Sequence, residues 1–159
     1  MERPLDRTDY EIVAELQNDA RLSNKELAAR VHLAPSSCLE RTKRLRERGV
    51  LQGFHAKVDP AVLGIGLQAM IAVQLSHHNA QIVQAFQEHL FASPAVIAVF
   101  YLAGRTDFMI HVAVRDAAQL RELAVEYLTV RPEVAHVETS LIFEHRARPD
   151  LPCYAVPER

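Results

Sequence analysis

The hydrophobic period changes once along this chain, and that change limits the possible folds more than any other feature. Up to about residue 48, apolar residues recur three or four positions apart. From Leu67 they alternate, with Leu67, Ala69, Ile71, Val73 and Leu75 set against Gln68, Met70, Ala72 and Gln74. The first period builds helices and the second builds half-buried strands, so a helical part precedes a sheet-bearing part. Between them Asp59-Pro60-Ala61-Val62-Leu63-Gly64-Ile65-Gly66 collects a proline and two glycines and reads as a linker. The expected division is 1–58, a linker over 59–66, a second domain over 67–148 and a tail over 149–159. With 159 residues shared between two parts, each core is small, which favours self-association.

The helical part reads as three helices. Asp6 can cap the first, which carries Ile12, Val13 and Leu16. Ser23-Asn24-Lys25-Glu26 has the capping-box form directly before Leu27, Ala28 and Val31. Pro35 suits the first position of a third helix, where its missing N–H costs nothing, and Gly49 ends it. His32 occupies the turn position where positive φ is often needed. On the third helix, Cys38, Leu39, Thr42 and Leu45 form one stripe, leaving Ser36, Ser37, Glu40, Arg41, Lys43, Arg44 and Arg48 to face outward. A short helix, a tight turn and a basic, hydroxyl-bearing helix is a helix-turn-helix layout. Arginine forks onto guanine, serine takes either role, glutamate accepts from cytosine, and lysine neutralises phosphate. A three-helix packing module with a charged exterior fits the same periodicity. Val50-Leu51-Gln52-Gly53-Phe54-His55-Ala56-Lys57-Val58 reads as a strand, and so as a wing.

The second part reads as strand, helix, strand, strand, helix, strand. Asn79 caps a helix bearing Ile82, Val83, Phe86, Leu90 and Phe91, and Asp116 caps one bearing Leu120, Leu123, Ala124, Tyr127 and Leu128. Val96–Leu102, the alternating run Phe108 to Val114, and Val134, Val137, Leu141 and Phe143 supply the other strands. This order is the ferredoxin-like βαββαβ unit, so the expected class is α+β. Both helices cover one sheet face. The other carries Gln68, Met70, Ala72, Gln74, Met109, His111, Ala113, Ser140 and Ile142, which is apolar for water and polar for a closed core. It reads as the face that meets a second copy, with a half-wet open face as the alternative.

Charge and composition remove other classes. The net charge of −2 conceals a cluster in which Arg41, Lys43, Arg44, Arg46 and Arg48 fall within eight positions, opposed there only by Glu47. No stretch of apolar residues is long enough to span a membrane, and the opening Met-Glu-Arg-Pro-Leu-Asp-Arg holds no apolar segment of a secretory signal. Cys38 and Cys153 match no metal or disulfide spacing, which with the foregoing leads to a cytoplasmic expectation. The adjacent His77 and His78 read as surface residues, and no metal or cofactor is expected. No nucleophile–base pair or phosphate loop is present, so catalysis is not expected. The tail, Pro149-Asp150-Leu151-Pro152-Cys153-Tyr154, has no periodicity.

The stretches LDRTDYEIVAELQNDARLSNKELAARV, LAPSSCLERTKRLRERGVLQGFHAKVDPAVLG, VIAVFYLAGRTDFMIHV and PEVAHVETSLIF together resemble the leucine-responsive/asparagine-responsive (Lrp/AsnC, feast/famine) family of prokaryotic transcription regulators. They span residues 5–143 in the family's order. The resemblance implies a winged helix-turn-helix joined to a RAM (regulator of amino-acid metabolism) domain that pairs into homodimers, often gathered into octamers. It implies double-stranded DNA as partner and a small effector, usually an amino acid, bound where RAM domains meet. The DNA-reading residues would then fall within Ser36, Ser37, Glu40, Arg41, Lys43, Arg44 and Arg48. The family's Gly-x-x-Asp effector loop falls on Gly104, Arg105, Thr106 and Asp107, with Leu102 and Thr139 beside it. Val137 stands where many relatives have the first threonine of a Thr-x-Thr, and Ala34 where many have a capping serine, a hydroxyl worth about 1 kcal/mol. An amino-acid-sensing assembly that does not act through DNA is the alternative reading.

Overall fold

The computed structural model describes residues 4–77, 79–148 and 150–155. Its contacts divide the chain into two compact units, one holding the residues up to Lys57 with those from Arg146 onward, the other Val58–His145.

In the first unit, α1 (Arg7–Asn18), α2 (Asn24–Arg30) and α3 (Pro35–Glu47) pack around Ile12, Leu16, Leu27, Ala28, Val31, Cys38 and Leu45. Asp6 and Asp9 form a capping box at α1, and Ser23 and Glu26 form another at α2, as expected from sequence. α3 begins at Pro35 behind Ala34, which makes no side-chain cap. His32 takes φ +54°, the one positive-φ residue other than glycine among those described. The tail touches this unit, where the Leu151 N–H donates to Gln17 Oε1 at 2.8 Å.

Two expectations fail here. Val50–Val58 forms no strand; after Leu51 the segment is exposed throughout, because among the described residues of the helical unit no strand offers a ladder. Leu39 does not cover the core, being 59% exposed. The buried stripe of α3 runs through Cys38, Arg41, Thr42, Leu45 and Arg48, which turns Leu39 outward.

The second unit opens with a 3-10 turn, Pro60–Leu63, capped by Asp59 and closed by Gly64 at φ +76°. The segment read as a linker is therefore structured. Gly66 follows against the next sheet strand; a Cβ there would sit 2.3 Å from the Arg115 carbonyl oxygen, so only glycine fits. The elements are then β1 (Leu67–Leu75), α4 (Ala80–Phe91), β2 (Val96–Tyr101), β3 (Phe108–Val114), α5 (Ala117–Glu122) continuing π-helically over Leu123–Thr129, and β4 (Val134–Leu141). The four antiparallel strands lie in the order β2-β3-β1-β4, the ferredoxin-like arrangement. Asn79 and Asp116 cap the helices as expected.

Ala69, Ile71, Val73 and Leu75 of β1 and Phe108, Ile110, Val112 and Val114 of β3 bury under Phe86, Leu90, Leu120, Leu123 and Leu128. The π turn has a packing reason. Leu123 and Leu128 are five residues apart, a spacing that diverges on an α-helix and converges when the turn widens to i→i+5 bonding. Among the described residues of this unit, no helix packs on the opposite sheet face. On it Gln68, Met70, Ala72, Met109, His111 and Ala113 are half-buried, and Phe100 is 51% exposed.

Candidate nucleic-acid interface and effector site

Asp9 lies on the buried face of α1, one turn before Ile12, and is only 1% exposed. A carboxylate so placed must be paired, and α3 supplies the partners. Arg41 Nη1 donates to Asp9 Oδ1 at 2.8 Å and to Asp6 Oδ2 at 2.7 Å, while Arg44 Nη2 donates to both Asp9 oxygens at 3.0 and 3.1 Å. The two arginines are three residues apart and so share a helix face. Asp6 first, then Asp9, raise the Arg41 pKa. The expectation that Arg41 and Arg44 face outward is thus corrected: both turn toward α1 and clamp α3 to it. Arg48, the C-cap, is half-buried as well. A second tie fixes the start of α3, where Asn24 Nδ2 donates to the Pro35 carbonyl at 2.8 Å.

What remains outward on α3 is Ser36, Ser37, Leu39, Glu40, Lys43, Arg46 and Glu47. Lys43 and Glu47 approach to 3.7 Å on the open surface, a weak pair. Leu39 and Arg46 were missed from sequence as members of this face. Their signal was helix phase: once a polar Arg41 is allowed on the buried stripe, the outer face rotates to include them.

In the second unit the β2–β3 turn was read as the effector loop. The Leu102 N–H donates to the Asp107 carbonyl at 2.8 Å, and the Asp107 N–H to the Val73 carbonyl at 3.0 Å. The Asp107 carboxylate, 7% exposed, accepts the Leu75 N–H at 2.7 Å. That donor lies beyond the last β1–β3 register pair, Val73 with Phe108, so the side chain completes the ladder. One Asp107 carboxylate oxygen thus helps to close the sheet at the mouth of the β2–β3 turn.

A cavity of about 280 Å³ opens beside it, lined by Ala72, Val73, Gln74, Arg105, Thr106, His136 and Glu138. Of the expected effector residues, Arg105 and Thr106 reach it; Leu102, Gly104, Asp107 and Thr139 are not in its wall. Thr139 pairs with Ile71 and so belongs to the helix-covered side, whereas Glu138 pairs with Ala72 and His136 with Gln74 on the open side. Gln74, His136 and Glu138 line this cavity and were not among the residues expected from sequence. The alternation that put Gln74 on the open face was legible, but the pairing that brings β4 beside it was not.

Matches to known families agree with both halves. The AsnC-type helix-turn-helix domain matches residues 5–46, and the Lrp/AsnC ligand binding domain matches residues 68–150. The chain belongs to the Lrp/AsnC family. Among its relatives, the HTH-type transcriptional regulator AldR of Mycolicibacterium smegmatis is 46% identical over 143 residues, covering 90% of this chain and 84% of that protein. A crystal structure of the Mycobacterium tuberculosis AldR superposes with a TM-score of 0.80 at 36% identity, covering 94% of this chain and 100% of that one. A Neisseria meningitidis transcriptional regulator, solved as its L-Met complex, gives 0.84 at 30% identity, covering 94% and 97%.

As an Lrp/AsnC protein the chain is a DNA-binding transcriptional regulator with a ligand-binding domain, and not an enzyme. Its α3 is the second helix of the helix-turn-helix, and the cavity beside Arg105 lies within the ligand-binding domain. Among the described residues no three His, Cys, Asp or Glu side chains are grouped to hold a metal, and no helix is long and apolar enough to cross a membrane. His78 and Pro149, named in the histidine and tail readings, lie outside the described residues.

On the open face of this Lrp/AsnC sheet, His111 Nε2 lies 2.9 Å from Gln68 Oε1, with the His145 ring 5.9 Å away. Burial first, and the His145 charge second, push the His111 pKa below its ordinary value. The unfolded chain then binds this proton more readily than the folded one, so the His111 contribution is present above pH about 6.5 and declines as pH falls below it. Thermal unfolding at pH 7.5 and 5.5 checks this. The wild type is expected to lose more stability on acidification than His111→Gln.

Proposed function

We propose that the outer face of α3 reads duplex DNA, with Ser36, Ser37 and Glu40 placed to meet base edges and Lys43 and Arg46 to meet phosphates. Leu39 is suited to a thymine methyl. The observation that carries this is the division of α3 itself: the stripe facing α1 is pinned by the Asp9 ion pairs and Cys38 and Leu45, while the opposite face has no core to cover. Arg41 and Arg44 act by holding that face in position.

The cavity beside Arg105 is the effector site in this reading, and an amino acid is the effector. An amino acid needs a cation for its carboxylate and an acid for its ammonium, and Arg105 and Glu138 supply one each. The methionine bound to the Neisseria relative supports the same class of ligand. The uncovered sheet face, with Met70, Met109 and the exposed Phe100, suits a second copy packed sheet on sheet, and higher assemblies such as an octamer follow from further copies. Gln74, His136 and Glu138 belong to that same face. An effector there therefore bears directly on assembly, through its differing affinity for the paired and unpaired states. The two cysteines, both free, suit a reducing cytoplasm.

Fluorescence anisotropy with duplex DNA from upstream of the protein's own gene, with and without a pool of amino acids, tests the reading. Salt-sensitive binding that the pool shifts is the expected result. Binding of amino acids with no binding to DNA would favour the sensor alternative.

A further inference from the structure

We propose that Leu39 is a specificity-determining residue of α3, which reads the 5-methyl group of one thymine in the stretch of duplex that each copy covers. The inference rests on the DNA-reading face proposed for α3. A lone exposed leucine is ordinary on a protein surface, so exposure by itself assigns it no task. Its position does more. Leu39 is 59% exposed and, among the described residues, neither joins the core of the helical unit nor packs against it. The ion pairs of Arg41 and Arg44 with Asp6 and Asp9 fix the phase of α3, so Leu39 cannot roll inward without breaking them.

Along the outward face Ser36 lies one turn before Leu39, and Lys43 one turn after it. A recognition helix presents its N-terminal residues to base edges. With α3 running from Pro35 to Glu47, Leu39 falls in the first half, between hydroxyls suited to bases and cations suited to phosphates. Donors and acceptors line the major groove, and the thymine methyl is the apolar exception among them. Ser36, Ser37 and Glu40 can meet the polar edges; Leu39 can meet only that methyl. Set over cytosine instead, a leucine would cover the N4 amino donor and leave it without an acceptor. Removing one methyl-sized group from water against the leucine is worth about fourfold in affinity.

The test begins with the full chain selecting its preferred duplex from a random-sequence pool. Each thymine of that duplex is then replaced singly by deoxyuridine, which lacks only the methyl, and anisotropy at fixed salt gives the affinities. For the wild type, replacing one thymine per bound copy is expected to cost about fourfold, and about fifteenfold when a dimer loses both methyls. Leu39→Ala is expected to bind the thymine and deoxyuridine duplexes equally. Comparing the two proteins on the two duplexes separates the contact from any effect of the methyl on the DNA alone. The Leu39 side chain lies outside the core, so the melting curve of Leu39→Ala should match that of the wild type. If no deoxyuridine weakens wild-type binding, or if Leu39→Ala keeps the same difference, the inference is overturned. A loss of affinity in Lys43→Ala/Arg46→Ala would then leave the α3 reading standing. A double variant that binds as tightly as wild type overturns the α3 reading and this inference together.

Discussion

Raising the salt concentration from 50 to 200 mM is expected to weaken the protein–DNA complex by roughly 10²-fold, the loss that follows when Lys43 and Arg46 of each copy let a dimer cover about four phosphates. The magnitude comes from counterion release. Each phosphate neutralised by Lys or Arg frees a condensed cation, so affinity falls as a steep power of salt. On α3 the outward cations are Lys43 and Arg46, because Arg41 and Arg44 are spent on Asp9 and Asp6. Anisotropy titrations at four salt concentrations give the slope. A complex that is indifferent to salt would mean that phosphate contacts do not supply its affinity.

Asp9→Ala is the second change with a large expected effect. It removes the buried carboxylate on which both arginines converge and leaves them beside a void on the α1–α3 interface. Breaking a buried pair costs about 3–5 kcal/mol when the remaining charge stays buried; Arg41 and Arg44 retain some access to water and Arg41 keeps Asp6, so about 2–3 kcal/mol is expected. For a unit this small, that corresponds to a fall in melting temperature on the order of 10 °C. DNA affinity should fall with it, since the outer face loses its seating before any contact residue is touched. A thermal melt of Asp9→Ala unchanged from wild type would show that the network does not hold α3. Arg44→Ala is expected to act by the same route, through stability more than through contact.

The elements themselves were largely legible. Capping residues at Asp6, Ser23, Asn79 and Asp116 mark helix starts by local hydrogen bonding, and the alternation from Leu67 to Leu75 marks a strand by its period. His32 in the turn was legible because few residues other than glycine tolerate its backbone angle. What failed depended on distant partners. The outward placement of Arg41 and Arg44 overlooked Asp9, some thirty residues earlier, because an acid within an amphipathic helix reads as solvent-facing until its burial is known. Val50–Val58 has strand-forming residues, yet a strand exists only where another pairs with it, and none among the described residues of the helical unit does. At the β2–β3 turn, Gly104–Asp107 announced a turn but not the direction of its side chains. The Asp107 carboxylate answers an unpaired N–H on β1, a need created only by strand register. Glu138 and His136 carried no local signal at all, since their place beside Gln74 comes from the β1–β4 pairing.

On the reading proposed above, the outward face of α3, and no other basic surface, meets DNA. The most direct measurement compares the affinity of duplex DNA from upstream of the protein's own gene for the wild type, for the double variant Lys43→Ala/Arg46→Ala and for Arg115→Ala. Lys43 and Arg46 are exposed, as is Arg115 in the ligand-binding domain, so all three variants should fold. A loss of about tenfold or more is expected for the α3 double variant at fixed salt, with a shallower salt slope, and an unchanged affinity for Arg115→Ala. Equal losses from both, or none from the α3 pair, would contradict it.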